Sequence, residues 1–397
     1  MVPNDSGYIK KNLPDKVFKI GVVLLAAGIF LGIIGFIVDS YRASFAYLVS
    51  FIFFLSIVVG SLFLVALEYA ANADWSTPFR RISEFLAAGL PLLLIFAIPL
   101  MFNTGSLFQW SHADYIHSDK MLEAKSAYLN TPFFMVRVFA IIIIWIFFYT
   151  LIIKNSRKQD DTGNQVLTKR NITLSVIFIP IFAITITLVA VDWIMSLESK
   201  WFSTIFGVYL FAGVAWASLA ALTLTSIKLK EKGLLHPAIK EDHYYSLGTL
   251  MFAFTAFWGY IAFSQYMLIW YGNLPEETFW FMQRWHGGWK VVSVLLIFTH
   301  FIVPFFYLLS YESKTNLKKL KFISIWILCV HFLDIYWLIM PSMARNDHAY
   351  SFSWIDFVFP LIFIGVLMIV FNKVAQKINL VPVGDPKLKR GLDFHLK

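Results

Sequence analysis

Ten stretches of this chain are each close to the length of about 20 apolar residues that a helix needs to cross a ~30 Å hydrocarbon core. They cover residues 18–38, 45–67, 85–102, 133–153, 172–191, 206–227, 247–270, 291–309, 322–340 and 354–371. Inside lipid no water is available to satisfy backbone N–H and C=O groups, so such runs must close their own hydrogen bonds as helices. The pattern therefore predicts an all-α fold, a polytopic membrane bundle of about ten transmembrane helices. The third and tenth runs are the weakest, being the shortest and carrying Pro91 and Pro360.

Composition agrees. Of the 397 residues 59% are hydrophobic and 14% charged, against roughly half and a quarter in soluble domains. The formal charge of +9 does not point to nucleic acid, because Lys and Arg lie between the apolar runs and form no basic face with a recognition module. One cysteine, Cys329, sits within an apolar run. That excludes an intrachain disulfide, a cysteine-ligated zinc and a protein-ligated iron–sulfur cluster.

Lys10, Lys11 and Lys16 precede the first run, as in a signal peptide, but the run is too long and no cleavage site follows. An uncleaved first helix is expected. Positive residues are retained in the cytoplasm, and 25 of the 33 Lys and Arg lie on the side that holds both termini and the loops after runs two, four, six and eight. Both termini are thus expected to be cytoplasmic.

Tryptophan shows the opposite bias. Nine of 14, among them Trp110, Trp193, Trp201, Trp270, Trp280 and Trp354, fall at outer helix ends, while only Trp75 and Trp326 lie near the inner one. An interfacial aromatic belt accounts for part of this; the excess suggests an outer docking surface. The longer loops, 103–131, 154–171 and 228–245, are too short to fold alone, so residues 1–397 read as a single membrane domain.

Phosphate-loop, dinucleotide and zinc-helix motifs are missing, and no catalytic residue set or metal site is expected. What remains are ionisable groups at membrane depth, where a central charge costs about 2.5–3.5 kcal/mol on insertion scales and marks function or a partner. His300 lies nine residues, about 14 Å, in from the outer end of its run and His331 nine residues, about 14 Å, in from the inner end of the next, nearly the same depth. Asp334 follows His331 by three residues, on the same helical face. This group suits a proton relay or a quinol-facing base, a hydrogen-bonded lock between two helices, or two axial ligands of one haem b.

Asp192 ends the fifth run, followed by Glu198, Lys200 and Trp201, polar groups among aromatics of the kind a headgroup site uses; ordinary interfacial polarity is the alternative. Arg137 and Lys290, near outer ends, are expected to snorkel. Glu68, at the inner end of the second run, faces Arg80, Arg81 and Glu84 across a loop and reads as an ion-pair cluster or as a proton inlet. The candidate proton-path residues are therefore Asp192, His300, His331, Asp334 and Glu68; no quinone-binding residue is assigned.

Three segments are more specific: NADWSTPFRR at 72–81, DWIMSLESKWFST at 192–204 and SQYMLIWYGNLPEE at 264–277. With them the chain resembles, over nearly its whole length, the F subunit of bacterial alternative complex III, a quinol:electron-acceptor oxidoreductase, and more distantly the NrfD/PsrC-type membrane subunits. Ser199 stands where that family is expected to prefer proline. The resemblance implies a multi-pass protein of the bacterial inner membrane that partners a homologous membrane subunit, iron–sulfur and multihaem cytochrome c subunits, and a terminal oxidase or periplasmic carriers. It implies menaquinone or ubiquinone, haem c and iron–sulfur clusters in the complex and none bound by this chain. Its role would be structural support plus a path for protons, since the homologous C subunit is the one credited with the quinol site. A proton-coupled secondary transporter is the competing reading; it would use the same buried groups, but should show internal repeats and interrupted helices, and no repeat is visible.

Overall fold

The computed structural model describes residues 13–117, 119–343 and 352–396; Lys10 and Lys11, part of the charge bias above, lie outside them. Ten helices among the described residues are long and apolar enough to cross a membrane, and no strand is found among them. The spans are α1 (Asp15–Val38), α2 (Ser40–Ala70), α3 (Thr77–Phe102), α4 (Thr131–Thr162), α5 (Val166–Glu198), α6 (Phe206–Glu231), α7 (Glu241–Gly272), α8 (Trp289–Leu309), α9 (Leu317–Met343) and α10 (Trp354–Ala375). The fold is the expected all-α membrane bundle.

Two spans form its centre. The apolar stretch of α2 is 94% buried and that of α6 83%, against 22% for α1 and 28% for α8. α6 packs on α2, α7 and α9, while α5 leans on α2 and α4. A helix apolar all round is expected only where it is surrounded, and α2 and α6 meet that condition with protein. The outer spans meet it with lipid, which explains exposed side chains such as Phe30, Val136 and Ile184.

α1 touches mainly α10. Its buried residues are all glycines, Gly21, Gly28, Gly32 and Gly35, a small-residue stripe that lets two backbones approach. A Cβ on Gly28 would lie 2.7 Å from the Ile362 backbone nitrogen. This seam was not read from the sequence, where hydrophobicity hid the small residues within it.

Three spans are irregular. α3 is broken at the Ala87–Gly89 turn ahead of Pro91, as its weakness predicts, whereas Pro360 sits harmlessly in the first turn of its helix, where no N–H is lost. α5 passes through a π-turn at Ala190–Ile194 and α8 through one at Ile297–Ile302; such bulges often accompany functional positions.

Residues 380–396 fold back as a strap across the end of the bundle where α2 ends and α3 begins. Gly384 donates its N–H to Asp160, Arg80 pairs with Asp385 at 2.7 Å, and His243 meets the Gly391 carbonyl at 2.7 Å. A Cβ at Gly384 would fall 2.0 Å from the Gln159 carbonyl oxygen, so only glycine permits this approach.

Candidate functional site

α6, α7, α8 and α9 converge on one cluster near mid-depth. His300 comes from the π-turn of α8, and His331 and Asp334 from consecutive turns of α9. The candidate ligand atoms of these three residues all lie within 4.8 Å of one another, and all three side chains are buried. The equal depths and shared helix face inferred from the sequence thus bring the triad together. Tyr209 of α6, which sequence reasoning missed, donates its hydroxyl to Asp334 Oδ1 at 2.6 Å, while Asp334 Oδ2 stands 3.7 Å from His300 Nε2.

The surroundings are aromatic. His300 stacks between Trp258, at 3.6 Å between ring centroids, and Trp216, at 4.3 Å. Trp216 is itself fixed by Nε1 donating to Thr255 Oγ1 at 2.9 Å. Gly213 makes room for His331, since a Cβ there would lie 2.8 Å from its Cε1. Yet neither nitrogen of either imidazole has a hydrogen-bond partner. Buried polar groups are normally satisfied, and an exception calls for water, an ion or a working role.

Three chemistries can be weighed. A haem held between the two histidines does not fit, because the Asp334 carboxylate, itself held by Tyr209, occupies the space the macrocycle would need. Two imidazoles and a carboxylate meet the donor count of a zinc-type ion, but metal-bound histidines almost always donate their second N–H to an acceptor, and here that outer shell is missing. Proton exchange fits best: the carboxyl and each imidazole can hold or release a proton, Tyr209 orients the carboxyl, and a water molecule could bridge the unpartnered nitrogens.

Asp192 and Glu68 lie apart from this cluster, each held by one arginine and one hydroxyl. Arg137 grips Asp192 through Nε at 2.8 Å and Nη2 at 3.1 Å, and Tyr128 donates to Asp192 at 2.9 Å. Arg137 therefore does not snorkel; it is buried in an ion pair. Burial, together with the adjacent Asp192 charge, pushes the Tyr128 hydroxyl up to about 12, which keeps it a neutral donor. The π-turn of α5 continues helical structure past Asp192, so the aspartate is enclosed rather than placed at a helix end.

Glu68 accepts from Arg80 Nε at 2.9 Å and from Thr77 at 3.2 Å. Arg81 pairs with Glu84 and, at 2.6 Å, with Asp160, and Ser156 donates to Glu84 at 2.7 Å. This is the ion-pair cluster expected at the inner end, enlarged by Asp160 and by Asp385 of the strap. Neither addition was signalled in the sequence.

At the end of the bundle opposite the strap, Arg284 donates to the carbonyls of Trp280 and Leu338 and lies 3.3 Å over the Trp280 ring, which stacks on Trp201 at 4.5 Å. Much of the outer tryptophan excess is thus internal packing. Trp270, Trp285 and Trp354 are the large indoles left exposed, and they alone remain for a belt or a docking surface. Compared with protein-family models and with curated proteins, the chain matches none.

Proposed function

We propose that the chain is a membrane subunit of a quinol-oxidising electron-transfer complex of the alternative complex III type, in the bacterial inner membrane with both termini in the cytoplasm. Its own part is to frame the complex and to pass protons through the Tyr209–Asp334–His300–His331 cluster. The observation that carries this reading is the cluster itself: three ionisable groups within 4.8 Å, at a depth where charge is costly, with four imidazole nitrogens unpartnered. The motif resemblance over residues 72–81, 192–204 and 264–277 supports the choice of complex. Redox centres and quinol chemistry belong to partners, namely a homologous membrane subunit and iron–sulfur and multihaem cytochrome c subunits.

Purification in mild detergent through a tag on this chain, with mass spectrometry and a haem stain, tests the assignment. Co-purifying cytochrome c and iron–sulfur proteins are expected; a lone colourless protein overturns it. Within the complex, Asp334→Asn is expected to leave assembly intact and to suppress proton movement coupled to quinol oxidation in vesicles. The broken α3 and the π-turns of α5 and α8 favour one second reading, a proton-coupled transporter, because transporters place interrupted helices around a midplane site. Proton-coupled solute uptake by the isolated chain would select it.

A further inference from the structure

A cavity of about 230 Å³ opens at the inner end of the bundle, apart from the histidine cluster. Its walls are leucines from three spans: Leu64 and Leu67 of α2, Leu219 and Leu222 of α6, Leu247 and Leu250 of α7. One end is polar, where Glu68, Ser76 and Arg80 meet beside Trp75. Arg80 is 2% exposed and uses Nε and Nη1 on Glu68, Tyr69 and Asp385, yet Nη2 has no partner, and neither has the Ser76 hydroxyl. Two unused donors thus border a cavity whose walls are apolar. Leucine-lined space stays dry, so water along the walls does not serve them.

Charge narrows the occupant. The charged groups acting on one another here are Arg80 and Lys387 on one side and Glu68, Asp385 and Asp74 on the other, with Asp74 also paired to Arg390, so three cations stand against three carboxylates. A net anion gains little from such a set, whereas a zwitterion finds a partner for each of its charges. Arginine pairs well with phosphate oxygens, and a ring of leucines about one turn deep, two from each of three helices, suits a segment of acyl chain.

We propose that this cavity binds one zwitterionic phospholipid of the adjacent leaflet. Its phosphate accepts from Arg80 Nη2 and Ser76 Oγ, its ammonium faces the Glu68 carboxylate, and part of an acyl chain lies against the leucines. The site stands on the cavity and its unused donors, independently of the respiratory reading.

The full chain, with any partners that co-purify, is reconstituted into vesicles of phosphatidylethanolamine and phosphatidylglycerol in equal parts, re-extracted in mild detergent, and analysed for bound lipid by native mass spectrometry. One phosphatidylethanolamine per chain is expected, enriched about fivefold or more over phosphatidylglycerol. Leu222→Trp, which fills the cavity, and Ser76→Ala, which removes one donor, should each cut retention about threefold or more without altering the elution volume. Equal retention of the two lipids, preference for phosphatidylglycerol, no retained lipid, or retention indifferent to Ser76→Ala would each overturn the proposal. Ser76→Ala decides the matter should Leu222→Trp fail to fold.

Discussion

The inner ion-pair network and the mid-depth cluster are equally buried and oppositely finished. Around Arg80 and Arg81, Glu68, Glu84, Asp160 and Asp385 each have a cation in contact. Around His300 and His331 only Asp334 has a short hydrogen bond, from Tyr209, and the imidazoles have none. A charge inside a protein is tolerable when a fixed counter-charge and hydrogen bonds replace water. Carboxylates answered in that way hold helices together and have little left to exchange, even where an arginine keeps a spare donor. A group left incomplete contributes little to stability, and its presence at this depth is better explained by chemistry.

That contrast can be broken most forcefully at Arg81. Arg81→Ala strands Glu84 and Asp160 together in the interior, and removing one partner of a buried pair costs about 3–5 kcal/mol; thermal unfolding in detergent should show a large fall or no folded protein. Next comes Gly384→Ala, whose Cβ would collide with the Gln159 carbonyl. Lifting the strap is expected to cost about 1–3 kcal/mol and to open residues 380–396 to protease. If their cleavage rate is unchanged, the strap is not a fastening.

His331→Leu should behave oppositely. Because no hydrogen bond is lost and no partner is left unsatisfied, stability should change by no more than about 1 kcal/mol in either direction. Proton movement in the assembled complex should fall about tenfold or more. A loss of stability as large as that of Arg81→Ala would show the histidines to be structural and erase the contrast.

The smallest effect belongs to the exposed outer pair, Lys200 with Asp119 at 2.6 Å. The hydrogen bond from Lys200 holds the Asp119 carboxyl below its usual range, so its contribution exists above the unfolded value and disappears as pH falls. Lys200→Met should lower the thermal midpoint only slightly at neutral pH, and the difference should begin to close below about pH 4 and vanish only once the lowered Asp119 carboxyl is itself protonated.

What the sequence revealed of these two regions follows from geometry. Depth along a span is a count of residues times a fixed rise, so His300, His331 and Asp334 could be placed together before any packing was known. Which neighbouring faces surround them is a matter of helix rotation and order, and Tyr209, Trp216 and Trp258 were therefore invisible. Arg137 and Asp192, 55 residues apart, looked like two separate interfacial groups because nothing in either run signals that α4 and α5 present them to one another. The strap has neither apolar periodicity nor length, and its role rests on two or three backbone contacts that leave no pattern.

The strap also orders events during synthesis. Arg80 and Asp385 are separated by 305 positions, so α3 is inserted long before one of its counter-charges has been made, and α1 must likewise wait for the α10 seam. Until the ribosome has passed the strap, a buried arginine lacks part of its coordination. A chain arrested in α10 would present an incompletely neutralised guanidinium at the end of the bundle that the strap covers, a chemical flag by which an unfinished copy differs from a finished one.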